Sequence, residues 1–378
     1  MSALRRNLLF ARAALTRRVP IYVQFAVTTR CNMVCSMCRA NESREGEREL
    51  GVAEIAILAD HLERLGVGIL VLTGGEPLLR VDLPEIVRLF SERGLSVRLQ
   101  SNALLADPET VRALVEAGLE DVTVSLHSLD PEINDRITGV PGSWERILAG
   151  LATFGQALPG RGALGGVNIT VNRHNLAELP DLVRFVTDIG LYASLIPVHL
   201  DEGRGDGDYI VRAHAPEMGI DPSHHDTIDR VYAKLMDMKR SGFHLYNTYR
   251  FLRESRDYLK TGEIRWRCLS PDMYFSISPQ GHFLPCVDLP GDESMLDPGF
   301  VERYRSREFR EHYRRQASTC AGCMYACYPE LTYIARHPLT FLERVAFARA
   351  VEGRRRARLS AEQMVARAEA LRPGRTPR

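Results

Sequence analysis

Apolar positions follow two rhythms that alternate along this chain. Short apolar-rich runs at Ile21–Val27, Gly68–Leu72, Val97–Gln100, Val122–Leu126, Gly166–Val171 and Tyr192–Val198 read as buried strands. Between them the spacing turns helical. Val52–Leu65 places Ile55, Leu58, Leu62 and Leu65 on one face, and Leu83–Arg93 turns Ile86, Leu89 and Phe90 inward. A third helix opens at Asp107-Pro108, where the aspartate can cap and the proline's missing N–H costs nothing. Two more are expected near 143–154 and over Leu179, Leu182, Val183 and Val186. Near-continuous apolar strands separated by amphipathic helices predict a parallel sheet covered on its outer face, with six strand–helix units instead of the eight of a closed barrel.

The rhythm breaks after the sixth strand. Residues 201–222 are rich in Gly, Asp and Pro, and a loop of that length at the mouth of a strand suits a substrate-side element or a solvated excursion equally. A helix over 223–241 follows, then a link through Tyr246, Tyr249 and Tyr258 into a cysteine-bearing segment, about 265–332. Ala335–Phe347 reads as a helix with Leu342, Val345 and Ala346 on its apolar face, and a last helix is expected at 360–371. At the other end, residues 1–18 hold Arg5, Arg6, Arg12, Arg17 and Arg18 with no acid, and Leu4, Leu8, Ala11 and Leu15 near helical spacing. That suits a helix on an anionic membrane surface or one packed on the protein's own body. The division expected is 1–19, 20–242, 243–332 and 333–378.

Composition narrows the functional classes. Lysine and arginine number 49 against 48 acidic residues, so the basic excess of a nucleic-acid-binding surface is missing. Eight cysteines in 378 residues, three near the start and five beyond residue 267, are too few and too uneven for a disulfide scaffold. No apolar run approaches a membrane span, and Leu8–Leu15, interrupted by Arg12, lacks the pattern of a signal peptide. A reducing cytoplasmic compartment is expected, with peripheral contact at the inner membrane face as an option.

The chemistry concentrates in Cys31-Asn32-Met33-Val34-Cys35-Ser36-Met37-Cys38. Three soft thiolates at this spacing suit three irons of a [4Fe–4S] cube and leave the fourth open to a chelating small molecule; a zinc knuckle is the competing reading. Gly74-Gly75-Glu76-Pro77 follows the second strand, Ser101-Asn102 the third, and Ser125 ends the fourth. In a parallel β/α fold these positions converge on one rim, where ligands bind. With these motifs the chain resembles the radical S-adenosylmethionine (radical SAM) enzymes. The resemblance implies an α/β partial (β/α)6 TIM-like barrel and a cluster on Cys31, Cys35 and Cys38 that reductively cleaves S-adenosylmethionine. It further implies a flavodoxin- or ferredoxin-like electron donor. Gly74, Gly75 and Glu76 would hold the cofactor's amino group, Ser125 its carboxylate with Arg136 as a second partner, and Asn102 its ribose or methionyl end. Met37 stands where the family commonly has an aromatic residue beside the adenine. His127 stands where many relatives carry an acid, and fits a substrate contact or a structural hydrogen bond.

A second cysteine group comprises Cys268, Cys286 behind Gly281, and Cys320, Cys323 and Cys327. It resembles the SPASM extension, or its shorter twitch form, which would add a small cysteine-rich domain with an auxiliary [4Fe–4S] cluster. Zinc on four thiolates is the alternative. Cys268, Cys286, Cys320 and Cys323 are the expected ligands, with Cys327 as a possible replacement, and Asp288 a substrate base or a solvated turn acid. Such a cluster points to net oxidation, rearrangement or crosslinking. The expected substrate is a small metabolite, because only about 20 residues precede the first strand and no peptide-recognition domain is evident. A peptide, as for many SPASM-bearing maturases, or a lipid-like molecule is the alternative, and a noncatalytic zinc-binding interaction protein the remote one.

Overall fold

The computed structural model describes residues 16, 18–39, 48–159, 164–200, 215–352 and 357–372. Most of the basic N-terminal segment, most of the 201–222 excursion, Arg354–Arg356 and the end from Pro373 lie outside the described residues. The six expected strands all form: β1 (Tyr22–Thr28), β2 (Ile69–Gly74), β3 (Ser96–Ser101), β4 (Leu119–Ser125), β5 (Leu164–Val171) and β6 (Tyr192–Pro197). They lie side by side in chain order, all parallel. The helices between them are α1 (Val52–Leu65), α2 (Leu83–Glu92), α3 (Pro108–Glu116), α4 (Pro131–Thr138), α5 (Ser143–Ala157) and α6 (Leu179–Asp188). Asp107 caps α3 through bonds from the N–H groups of Glu109 and Thr110, with Pro108 next to it. This is an α/β fold of the partial-barrel kind.

The sheet does not stop at six strands. β7 (Tyr274–Ile277), from the cysteine-bearing segment, pairs in parallel with β1, Tyr22 against Tyr274 and Phe25 against Ile277, and β8 (Phe283–Leu284) follows antiparallel. The second cysteine group is therefore built onto the barrel's own sheet. After β6 come α7 (His225–Arg240) and α8 (Tyr249–Thr261); beyond β8 come α9 (Phe300–Arg305), α10 (Arg307–Thr319), α11 (Cys327–Arg336), α12 (Pro338–Glu352) and α13 (Ala361–Ala370). The single helix expected over Ala335–Phe347 breaks at His337-Pro338, because proline lacks the N–H that would continue the ladder and disfavours helical backbone before it. Leu342, expected on an apolar inner face, is largely exposed.

Alternation along the strands shows what the barrel encloses. Phe25, Val27, Leu70, Leu72, Val97, Leu99, Val124, Val167, Ile169 and Leu195 are fully buried and share one core with the covering helices. The positions between them, Ala26, Thr73, Arg98, Gln100, Thr123, Ser125, Asn168, Thr170 and Ile196, keep part of their surface. Side chains alternate faces in a strand, so these residues line a hollow inside the barrel, and most of them are polar. Tyr328 on α11 closes one side by donating its hydroxyl to Gln24 of β1 (2.8 Å).

Candidate active site

The three-cysteine loop leaves the end of β1 and is fastened on two sides. Ser36 N–H donates to the Ile137 carbonyl (3.0 Å) and Val34 N–H to that of Thr138 (3.2 Å), both at the end of α4. On the other side the Gly75 N–H donates to the Thr28 carbonyl (2.9 Å) and the Glu76 N–H to that of Arg30 (2.8 Å). Glycine is required at both places. A Cβ at Gly74, whose φ is +132°, would lie 2.2 Å from the Thr28 oxygen, and one at Gly75 would lie 2.1 Å from the Arg30 oxygen. Thr28 in turn bonds Glu49, which also pairs with Arg30 at 3.3 Å.

Glu76 is completely buried. Its carboxylate accepts from Leu78 N–H (2.9 Å), Ser101 Oγ (2.8 Å) and Asn102 N–H (2.7 Å), tying the loop after β2 to the end of β3. Burial raises its pKa to about 7, and those three donors oppose the rise. The acid binds a proton more readily in the folded chain than in the unfolded one. Its protonated form therefore contributes stability that is fully present below about pH 4.5 and is lost as pH rises towards 7. Denaturant unfolding of the wild type against Glu76→Gln should show the wild type losing about 2–3 kcal/mol of relative stability from pH 5 to pH 8. A flat difference would contradict the assignment.

The expected rim residues gather around this core. Asn102 Nδ2 donates to Asn32 Oδ1 (2.7 Å) and lies 4.0 Å from Cys31 Sγ. Ser125 ends β4, half-buried beside Asn168 of β5, a polar neighbour that strand periodicity alone does not single out. Met37 packs with Ile137, Val198 and Met218 at the mouth. Arg136 is exposed in the last turn of α4, its charge felt by His174. His127 is buried; its Nδ1 accepts from Thr170 N–H (3.2 Å), its carbonyl accepts from Asn175 Nδ2 (2.8 Å), and burial lowers its pKa to about 4. It is a neutral, structural histidine.

Thiol chemistry decides what the loop can hold. Burial pushes Cys31 and Cys35 up, and ionised Cys38 would push both further. Mutually repelling, soft donors fit a cationic iron–sulfur group that removes their protons on binding. Among the described residues no group of three or more His, Cys, Asp or Glu side chains is placed so that it could hold a metal ion. In the second group, charge on Cys320 would be felt by Cys268 and Cys286, charge on Cys268 by Cys286 and Cys323, and charge on Cys286 by Cys323. Cys268 is exposed and Cys323 half-buried. Backbone N–H groups of Ser270, Asp288 and Gly322 donate to Cys268, Cys286 and Cys320 at 3.5, 3.3 and 3.3 Å. Cys327 differs: its thiol meets Tyr22 of β1.

Asp288 is not a solvated turn acid. It is buried, and Tyr325 donates its hydroxyl to Oδ2 at 2.9 Å. Tyr325 packs on His199 just beyond β6 (ring centres 4.2 Å apart), and His199 Nε2 accepts from Met324 N–H at 2.7 Å. Asp288, Tyr325 and His199 thus join the second cysteine group to the barrel rim. No sequence pattern marks Tyr325 or His199, because their pairing spans more than a hundred residues.

Residues 25–186 match the Radical SAM superfamily. An AdoMet-dependent heme synthase of Methanosarcina barkeri is 34% identical over 189 residues, half of this chain and 53% of that protein. One from Oleidesulfovibrio alaskensis is 27% identical over 323 residues, 80% of each chain. The PqqA peptide cyclase of Rhodopseudomonas palustris is 26% identical over 334 residues, 81% of this chain and 80% of its own. Among solved structures, Streptococcus suis SuiB bound to its precursor peptide SuiA shares the fold with TM-score 0.61 at 16% identity, covering 82% of this chain and 70% of that one.

Proposed function

With residues 25–186 a radical SAM domain, we propose that this chain reductively cleaves S-adenosylmethionine and abstracts hydrogen from a peptide substrate. The observation that supports this most is the stitching of the Cys31–Cys38 loop to Gly74-Gly75-Glu76 at the rim of a hollow, polar-lined barrel. Cys31, Cys35 and Cys38 would hold a [4Fe–4S] cluster, which would supply the electron for cleavage. The chain's own residues then hold and orient. Gly74 and Gly75 let backbone approach the cofactor closely, and Glu76 fixes the loop and offers an acceptor for its ammonium. Ser125 and Arg136 stand for its carboxylate, Asn102 for its ribose or methionyl end, and Met37 borders its adenine. The barrel wall positions the reacting carbon and excludes competing reactions.

Cys268, Cys286, Cys320 and Cys323 would hold an auxiliary cluster, which would accept or relay an electron, with Cys327 as the alternative ligand. Asp288, held by Tyr325, is the candidate substrate base. The likeness to a peptide cyclase across four-fifths of both chains supports the peptide reading over the free small metabolite expected at first. A tetrapyrrole is the second reading, favoured by the heme synthases. An electron donor of the flavodoxin or ferredoxin kind completes the scheme. Among the described residues no helix is long and apolar enough to cross a membrane.

Anaerobic reconstitution should yield 5′-deoxyadenosine from the wild type and none from the Cys31/Cys35/Cys38 triple alanine variant. About eight irons per chain should fall to about four. Zinc alone with no cleavage would overturn the reading. Deuterium passing into 5′-deoxyadenosine from a labelled peptide, and not from a labelled tetrapyrrole, would separate the substrate classes.

A further inference from the structure

The hollow of the barrel ends on a charge whose donors are hardly used. Arg98 projects inward from β3, between the outward, fully buried Val97 and Leu99, and is flanked in register by Val71 and Asp121. Among the described residues its one ionic contact is Nη1 to Asp121 Oδ2 at 3.6 Å, too long for a hydrogen bond. Its Nε is buried and has no hydrogen-bond partner. Asp121 meanwhile accepts from the Tyr192 hydroxyl at 3.4 Å. A guanidinium carries five donors in a planar fork matched to a carboxylate, and leaving a buried donor unmade is costly. Yet the side chain keeps 24% of its surface on a strand position that faces the inside of the barrel.

The surroundings define what could sit there. Tyr22, Tyr192 and Tyr246 lie within electrostatic reach of Arg98. Ile69 and Val71 of β2 supply apolar surface on the same face. The floor is shut from below: Phe347 on α12 packs edge-on against Tyr192 (6.1 Å) and Tyr246 (5.8 Å), and Arg344 lies over Tyr246 at 3.7 Å. A ligand would reach Arg98 from the rim, past Thr123, Ser125 and Gln100. From Ser125 to Asp121 is four strand residues, about 13 Å.

We propose that Arg98 anchors an anion subsite at the floor of the barrel that takes a carboxylate of the substrate, borne on an apolar arm. This rests on the reading of the hollow as the substrate cavity, and gives that substrate an acidic group well removed from the reacting carbon. Asp121 is the internal competitor, holding the guanidinium in place while the site is empty of acid.

The test uses the full chain labelled with 15N-arginine and propionate as probe, with propionamide as the neutral control. The Arg98 Nε–H signal, assigned by its loss in Arg98→Lys, should shift saturably with propionate and not with propionamide. Asp121→Asn should tighten propionate binding by at least about tenfold, because it removes the competing charge. The double variant Arg98→Gln/Asp121→Asn leaves no charge unpaired and should fold with propionate binding lost. A merely structural ion pair would give no saturable shift at tens of millimolar propionate and no gain from Asp121→Asn, and either result overturns the proposal. Propionate binding needs no electron and no cofactor cleavage. If the shift is seen in a chain that makes no 5′-deoxyadenosine, the subsite stands and the enzymatic reading falls; the reverse pattern rejects the subsite alone.

Discussion

Gly75→Ala should abolish cofactor cleavage while leaving most of the barrel folded. The new methyl group would lie 2.1 Å from the Arg30 carbonyl oxygen, a backbone atom that cannot rotate aside. Relief requires the loop after β2 to move away from the cysteine loop, which breaks the Glu76 N–H bond to that same carbonyl and loosens Glu76 from Asn102. Overpacking of this kind costs about 1–3 kcal/mol, visible as a lower melting temperature. The functional loss should be larger, at least about a hundredfold in 5′-deoxyadenosine formation, because a displacement of about 1 Å in a positioning element is amplified in rate. Near-normal cleavage would mean that the two loops need not touch.

The second large effect belongs to stability. Glu330 on α11 is fully buried; its Oε1 accepts from Thr248 N–H (2.7 Å) and its Oε2 pairs with Arg344 of α12 at 2.8 Å. Arg344 also donates to the Tyr246 carbonyl at 2.9 Å. Nearby, Lys239 of α7 pairs with Glu343 at 3.2 Å. Arg344→Met should destabilise the chain by about 3–5 kcal/mol, since it leaves a buried carboxylate without its counter-charge. Adding Glu330→Gln should recover much of the loss, because neutralising both partners removes the unpaired charge. Chemical denaturation of the single and double variants measures this. Equal loss in both would place the energy in packing around Tyr246 instead of the ion pair.

What was legible in the sequence was local. Cys31, Cys35 and Cys38, the Gly74–Glu76 turn and the six strands announce themselves within a few residues, and each sits where its spacing implied. The features that escaped are those fixed by distant partners. The helix over Pro131–Thr138 is short and faces its polar residues inward, with Asn134 buried and bonded to Ser143, so no apolar stripe marks it. Arg98 falls within an apolar run and counts there only as an interruption; its meaning comes from Asp121 on the neighbouring strand. Cys327 follows Cys323 after three residues where Cys323 follows Cys320 after two, and nothing in that spacing foretells the approach of Tyr22 to its thiol. Pro338 did carry a readable signal, a helix stop, outweighed at first by the apolar positions on either side.

The pairing of β7 with β1 also has a consequence for how this chain comes off the ribosome. Tyr22 waits for Tyr274, about 250 residues later in the chain. At typical synthesis speeds of about 5–20 residues per second, that is on the order of 10–50 seconds during which one edge of β1 is exposed to other chains. The strands from β1 to β6 can add to one another as each emerges, but that side of β1 is not covered until Tyr274–Ile277 have been made. A nascent chain stalled before β7 should therefore engage holding chaperones through β1, and synonymous changes that slow translation between β6 and β7 should lower the soluble yield without altering a single residue.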